Sequence, residues 1–151
     1  MIDIKRTNSD SKDFIDLVRL LDADLVIRDG EDYAFYSQFN KLDQIKYVVL
    51  AYDDKEPVGC GAIKEYEPKV MEIKRMFVLP ECRGKGVASK VLQELEKWAN
   101  ELSFEKCILE TGVKQPEAIG LYKKNNYHFI PNYGQYTGVK ESVCFDKKIT
   151  S

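Results

Sequence analysis

At 151 residues, with 44% hydrophobic and 32% charged side chains, the chain fits one soluble domain over 1–151 with a single sizeable core. Its net charge of −2 and pI near 5.6 argue against nucleic acid as a partner, because phosphate binding rewards a clustered basic surface. No run approaches the roughly 20 apolar residues of a membrane span. MIDIKRTNSDSKDF also lacks the apolar stretch of a secretory signal, so a cytoplasmic location without a membrane partner is expected.

Residues 1–7 alternate apolar and polar and predict a first strand. NSDSKDF then offers several helix N-caps, and Phe14, Leu17, Val18, Leu21 and Leu25 recur at helical spacing. A weaker helix is expected over EDYAFYSQF, with Tyr33, Tyr36 and Phe39 as core or pocket wall. Three strands follow, at 47–52, 58–66 and 70–78; DDKEP and EPK join them so tightly that they must be antiparallel neighbours.

A helix is predicted over 85–102 with an apolar stripe of Val87, Val91, Leu95, Trp98 and Leu102. Lys90 and Glu94, four apart on it, have the spacing of a helix-stabilising ion pair. KCILET is a further strand, and strand, helix, strand implies a right-handed crossover and a parallel pair. PEAIGLYKKNN forms a helix with Pro116 early and Asn125 or Asn126 ending it. YHFI and ESVCFDKK give two last strands around the loop PNYGQYTG. There is no repeat, low-complexity tract or linker.

The four cysteines, Cys60, Cys82, Cys107 and Cys144, stand far apart, and His128 is the one histidine. Free thiols in a reducing compartment fit this set better than a zinc site or a Cys–His nucleophile pair. No metal is expected.

PECRGKGVAS places two glycines and two cations where the long helix begins. A helix N-terminus leaves backbone N–H groups unpaired and carries positive potential, and glycine lets a phosphate approach that backbone. Arg83 and Lys85 add charge suited to a diphosphate. A Walker A loop is excluded, because Gly84-Lys85 has no glycine five residues before it and is followed by Gly86. Gly84, Gly86 and Ser89 nearly meet the dinucleotide fingerprint, with Glu110 where a ribose-binding acid would stand. That fingerprint starts directly after its strand, however, and here Pro80 to Arg83 intervene after three antiparallel strands.

FVLPECRGKGVASKVLQELEKWA meets the pattern Gln/Arg-x-x-Gly-x-Gly/Ala through Arg83, Gly86 and Ala88, after a strand ending in Val78 and Pro80. ETGVKQPEAIGLYKKNNYHFI adds a strand, a helix with Tyr122, and Asn126 in place of a customary glycine. In these residues, and in element order over essentially its whole length, the chain resembles the GCN5-related N-acetyltransferase (GNAT) family. The resemblance implies an α+β, acyl-CoA N-acyltransferase fold. Its sheet would be mixed and mostly antiparallel, with six to seven strands and about four flanking helices.

It also implies an acetyl-CoA-dependent N-acetyltransferase that passes the acetyl group directly to a primary amine of a small molecule or peptide. Acetyl-CoA would lie where strands 70–78 and 106–111 splay apart. Its pyrophosphate would meet the N–H groups of Arg83, Gly84, Lys85, Gly86, Val87 and Ala88. Its pantetheine would pair along Met76, Phe77 and Val78, with the N–H of Val78 facing the carbonyl oxygen. Tyr122 matches the family's usual acid for the departing thiolate.

From the residues themselves, Glu72 is the candidate base, with Glu65 on the neighbouring strand. Simple alternation would place Glu72, Lys74, Met76 and Val78 on one face and Ile73, Arg75 and Phe77 on the other. Arg28, Glu31 and Arg75, with the stretch NYGQY (132–136) that ends in Tyr136, are candidate acceptor-pocket residues. The arginines suit a carboxylate-bearing acceptor, whereas the acidic chain suits a cationic one. Dimers are common in the resembled family, and ESVCFDKK is an edge-strand candidate for a homodimer. A module that binds acyl-CoA without turnover, as a sensor, would share the same loop.

Overall fold

A computed structural model describes residues 1–29 and 45–150, with no side-chain description for Arg28 and Asp29. Among these residues the elements run β1 (Ile2–Thr7), α1 (Lys12–Asp29), β2 (Tyr47–Asp53), β3 (Glu56–Glu67), β4 (Val70–Val78), α2 (Val87–Glu101), β5 (Lys106–Gly112), α3 (Pro116–Lys124), β6 (His128–Ile130) and β7 (Ser142–Lys148). The expected helix over EDYAFYSQF, with Tyr33, Tyr36 and Phe39, lies outside the described residues.

The described strands form one mixed sheet of seven in the order β1-β2-β3-β4-β5-β7-β6. Neighbours are antiparallel except β4 and β5, which the α2 crossover makes parallel. The β2–β3 turn is tighter than expected. Asp54 and Lys55, at φ 48° and 75°, close it in two residues with the left-handed geometry that matches strand twist. β7 is not the edge strand anticipated from ESVCFDKK. It lies between β5 and β6, because the late loop carries the chain back past the edge.

Two apolar layers cover the sheet. On one face Phe14, Leu17, Val18 and Leu21 of α1 pack on Val48, Leu50, Cys60, Ala62 and Phe77. On the other, Val87, Val91, Leu92, Leu95 and Ala99 of α2, with Tyr122 of α3, pack on Val49, Ile63, Met71, Ile73, Leu109 and Phe145. α1 begins where Ser11 accepts the N–H of Phe14 (3.4 Å). α2 sits close to β3 because residue 61 is glycine. A Cβ there would come within 2.9 Å of Leu95 and Val91.

The α2 stripe departs from expectation at its ends. Leu92 and Ala99 are buried, while Trp98 is half-exposed beneath the Arg6 guanidinium (4.8 Å to the ring). Glu94 receives Arg6 Nε at 2.7 Å instead of pairing with Lys90, and both other Arg6 nitrogens reach Glu101 (2.8 and 2.9 Å). A planar fork from β1 offers two carboxylates better geometry than a flexible lysine on the same helix.

Candidate functional site

β4 is where the sheet opens. It pairs with β5 only over Val70–Lys106, Met71–Cys107 and Glu72–Ile108, and the two strands then part. On its other side β4 stays with β3, but with one residue too many. Ala62 faces Lys74 and Cys60 faces Phe77, so three steps of β4 match two of β3. The extra residue is a bulge at Arg75, whose φ is 60°. Cys60 Sγ donates to the Arg75 carbonyl at 3.3 Å.

The bulge breaks the simple alternation. Glu72, Lys74 and Phe77 face α1, whereas Met76 joins Ile73 and Val78 on the α2 face. Arg75 is buried on the α1 side, with Nη1 3.7 Å from Asp22. Burial raises the Asp22 carboxyl above its ordinary value, and the Arg75 charge opposes that.

The parted strands bound a cleft of about 410 Å³, lined at one end by Met76, Phe77, Val78, Arg83, Gly84, Gly86, Val87, Ala88 and Ser89. Leu79 N–H bonds Val58 O at 2.9 Å, so the adjoining Gly59–Val78 pair is the kind that turns its amide groups away from the partner strand. Val78 N–H is therefore directed to the open side. Its carbonyl, turned the same way, accepts Arg83 Nε at 2.9 Å.

Gly84 and Gly86 have φ of 81° and 80°, and a Cβ on either would meet nothing within 4 Å. The turn thus needs glycine for its left-handed conformation, and it leaves the first-turn N–H groups of α2 open to an anion. α2 starts at Val87 with Gly86 as its cap, two residues later than the rhythm of the sequence implied. Arg83 is fixed over the Phe77 ring (5.6 Å). Lys85 is exposed and does not line the cleft.

The other end of the cleft is lined by Glu72, Lys74, Arg75, Glu110, Thr111, Tyr122 and Tyr136, with Asp24 of α1. Tyr122 rises into it from the α2 face, its ring against Tyr127 (5.7 Å) and Phe145 (5.9 Å). Burial, then the charge of Glu110, raises its hydroxyl above the ordinary tyrosine value, so it stays protonated. Glu72 accepts the Tyr133 hydroxyl at 2.6 Å and has Lys74 Nζ at 3.6 Å. Tyr133 packs edge-on between Tyr66 (5.1 Å) and Tyr136 (5.8 Å).

Of the residues expected from sequence, the cleft brings together Glu72, Arg75, Met76, Phe77, Val78, Arg83, Gly84, Gly86, Val87, Ala88, Tyr122 and Tyr136. The Arg28 side chain and Glu31 lie outside the described residues. Ser89 and Glu110 were missed as parts of this site, whereas Tyr133, within the expected NYGQY stretch, reaches it through its bond to Glu72. A signal existed for Glu110. It is a charge directly after the apolar run Cys107, Ile108 and Leu109, two residues from Ile108 and so on the same face.

A model of the acetyltransferase (GNAT) family matches residues 14–127. The IAA acetyltransferase of Azospirillum brasilense is 39% identical over 93 residues, 61% of this chain and 61% of its own length. The chain thus spans about three fifths of the first curated relatives it matches. A solved chain from Klebsiella pneumoniae, provisionally named an acyl-CoA N-acyltransferase, is similar at TM-score 0.84 and 28% identity over 99% of both chains. A GNAT family acetyltransferase from Elizabethkingia anophelis, solved with acetyl-CoA bound, shares the fold at TM-score 0.68 and 16% identity over 97% of both.

Proposed function

The chain belongs to the GNAT family of acetyltransferases, and from that premise we propose that it transfers the acetyl group of acetyl-CoA to a primary amine in a ternary complex. One observation carries the proposal: the cleft opened beside β4 joins an unobstructed glycine turn at a helix N-terminus to an outward-turned Val78 amide and the Tyr122 hydroxyl. The turn fits a diphosphate, since its open backbone lets several N–H groups converge on one anion. Arg83 to Ala88 hold that end of the co-substrate, with Lys85 acting as a long-range charge from outside the cleft. The free edge at Met76, Phe77 and Val78 accepts the pantetheine arm as an added strand.

At the reacting end, the Val78 N–H stabilises the charge that develops on the thioester oxygen. Tyr122 gives its proton to the departing sulfur, a task that its burial-raised pKa prepares by keeping the phenol intact. A carboxylate takes the proton that the amine must lose, Glu72 being the one expected from sequence. Arg75 and Tyr136 form the described part of the acceptor pocket, with Arg28 and Glu31 as further candidates. Arg75 is already braced by Asp22, so it shapes the pocket beside any charge it lends. A cytoplasmic location accords with four free thiols.

The test is a panel of primary amines, with IAA added because the Azospirillum relative is named for it, assayed for CoA release from acetyl-CoA. Turnover on at least one amine is the expected result. Micromolar CoA binding with no turnover on any acceptor would instead identify a non-catalytic acyl-CoA sensor.

A further inference from the structure

We infer that Glu110, not Glu72, receives the proton of the acceptor amine and hands it on to Tyr122. The inference rests on the acetyltransferase reading above and names a catalytic group within it. Both carboxylates lie on the α1 face of the sheet, because Glu72 pairs with Ile108 and Glu110 stands two residues further along the same strand. Glu72 is at the floor of the cleft, in the last pair before the strands part. One of its oxygens already accepts the Tyr133 hydroxyl (2.6 Å) and the other has Lys74 Nζ at 3.6 Å, so both are engaged by the protein itself.

Glu110 lies beyond that pair, in the opened part, with Oε2 held by the Ser142 hydroxyl at 2.7 Å. Its charge acts on the Tyr122 hydroxyl, which lines the same cleft. Besides the Ser142 hydroxyl, the described groups that act on Glu110 or line the cleft with it include Tyr122, Glu117 and Lys124 from α3, Tyr136 from the late loop, Cys144 from β7, Glu72, Lys74 and Arg75 from β4, and Asp24 from α1.

The coupling of Glu110 to Tyr122 has a direction useful to the reaction. Burial keeps the Tyr122 phenol protonated, and the charge of ionised Glu110 adds a smaller restraint in the same direction. Once Glu110 takes a proton from the ammonium, that restraint disappears and Tyr122 becomes more acidic, at the stage when sulfur leaves. The balance is complete. The ammonium gives one proton to Glu110, the amine nitrogen bonds to the thioester carbon, and the carbon–sulfur bond breaks. The thiolate takes the Tyr122 proton, the phenolate is reprotonated from Glu110, and the new amide sheds its second proton to water.

The experiment compares wild type, E110Q, E110D and E72Q with acetyl-CoA and two nucleophiles: the best alkylamine of the panel, and hydroxylamine, which is already uncharged at neutral pH. E110Q should lower kcat for the alkylamine by about 100-fold or more, lower it far less for hydroxylamine, and leave CoA affinity unchanged. It should also erase the acidic limb of the kcat/KM profile, with E110D partly restoring both rate and limb. E72Q should slow the enzyme yet keep the limb. Equal losses with both nucleophiles, or a limb that survives in E110Q and vanishes in E72Q, overturns the inference. If E110Q does not fold, S142A decides. Removing the hydroxyl that stabilises the charged carboxylate should move the limb to higher pH, and an unmoved limb overturns the inference. Wild-type protein that turns over neither nucleophile overturns the acetyltransferase reading itself, and this inference with it.

Discussion

The two ends of β4 lie in opposite surroundings. Val70, Met71 and Glu72 are paired with β3 on one side and β5 on the other, and Met71 is fully buried. From Lys74 onward the strand keeps β3 as its partner among the described residues. It bulges at Arg75 and turns the amide of Val78 toward open space. The comparison teaches how a sheet supplies binding groups. Unpaired backbone donors are costly inside a protein, so they persist only where a neighbour diverges and a rigid layer holds the gap open. Here that layer is α2, whose N-terminus lies at the open end and whose body packs under the closed one.

The largest effect should come from removing that support. Leu95 is 0% exposed beneath the sheet, and Leu95→Ala should cost about 2–5 kcal/mol. A lower urea midpoint, with CoA affinity retained in the folded protein, would separate the closed end from the open one. Tyr122→Phe should keep the ring contacts with Tyr127 and Phe145 and lower kcat by roughly 100-fold. Calorimetry should find CoA binding unchanged, and a comparable fall in affinity would place Tyr122 among the packing residues instead.

Gly86→Val forces a branched side chain into a left-handed residue at φ 80°, a strain of about 1–2 kcal/mol. It should weaken CoA binding about tenfold, with Gly86→Asn intermediate because asparagine tolerates that region.

The smallest effect is one of pH, and it draws on both ends, through Cys107 beside the closed one and Cys60 beside the bulge. Burial raises the Cys60 and Cys107 thiols from 9.0 to about 12. Below the unfolded value both states hold the proton, and the full stability is present. Above it the unfolded chain ionises first, so stability falls as pH rises from 9 toward 12. Urea midpoints at about pH 8 and about pH 10 should show this decline, and Cys60→Ala should flatten it.

Much of the architecture was legible because it follows from local rules. Alternation marks β1, apolar runs between turn signals mark β2 and β5, and a 3.6-residue rhythm marks α1 and α2. Short turns forced three strands into antiparallel order, and the crossover helix forced β4 and β5 into a parallel pair. Asn126, standing where a glycine is customary, does adopt φ 71°. The loop of Arg83 to Ala88 was legible for the same reason, since glycine spacing and the start of a helix are both local signals.

What the sequence left open depends on registers between strands. Nothing in MEIKRMFV announces that β4 carries one residue more than β3. Simple alternation therefore put Glu72, Met76 and Val78 on one face, and only the pairing of Cys60 with Phe77 shows otherwise. Glu94 finds Arg6 from the far end of the chain, a contact that no helical spacing encodes. Glu110 and Tyr122 likewise approach the cleft from opposite faces. A sequence by itself determines which residues form each element and which backbone angles they can adopt. Only tertiary packing decides which side chains and amides face the same empty volume, because that depends on distances between segments remote along the chain.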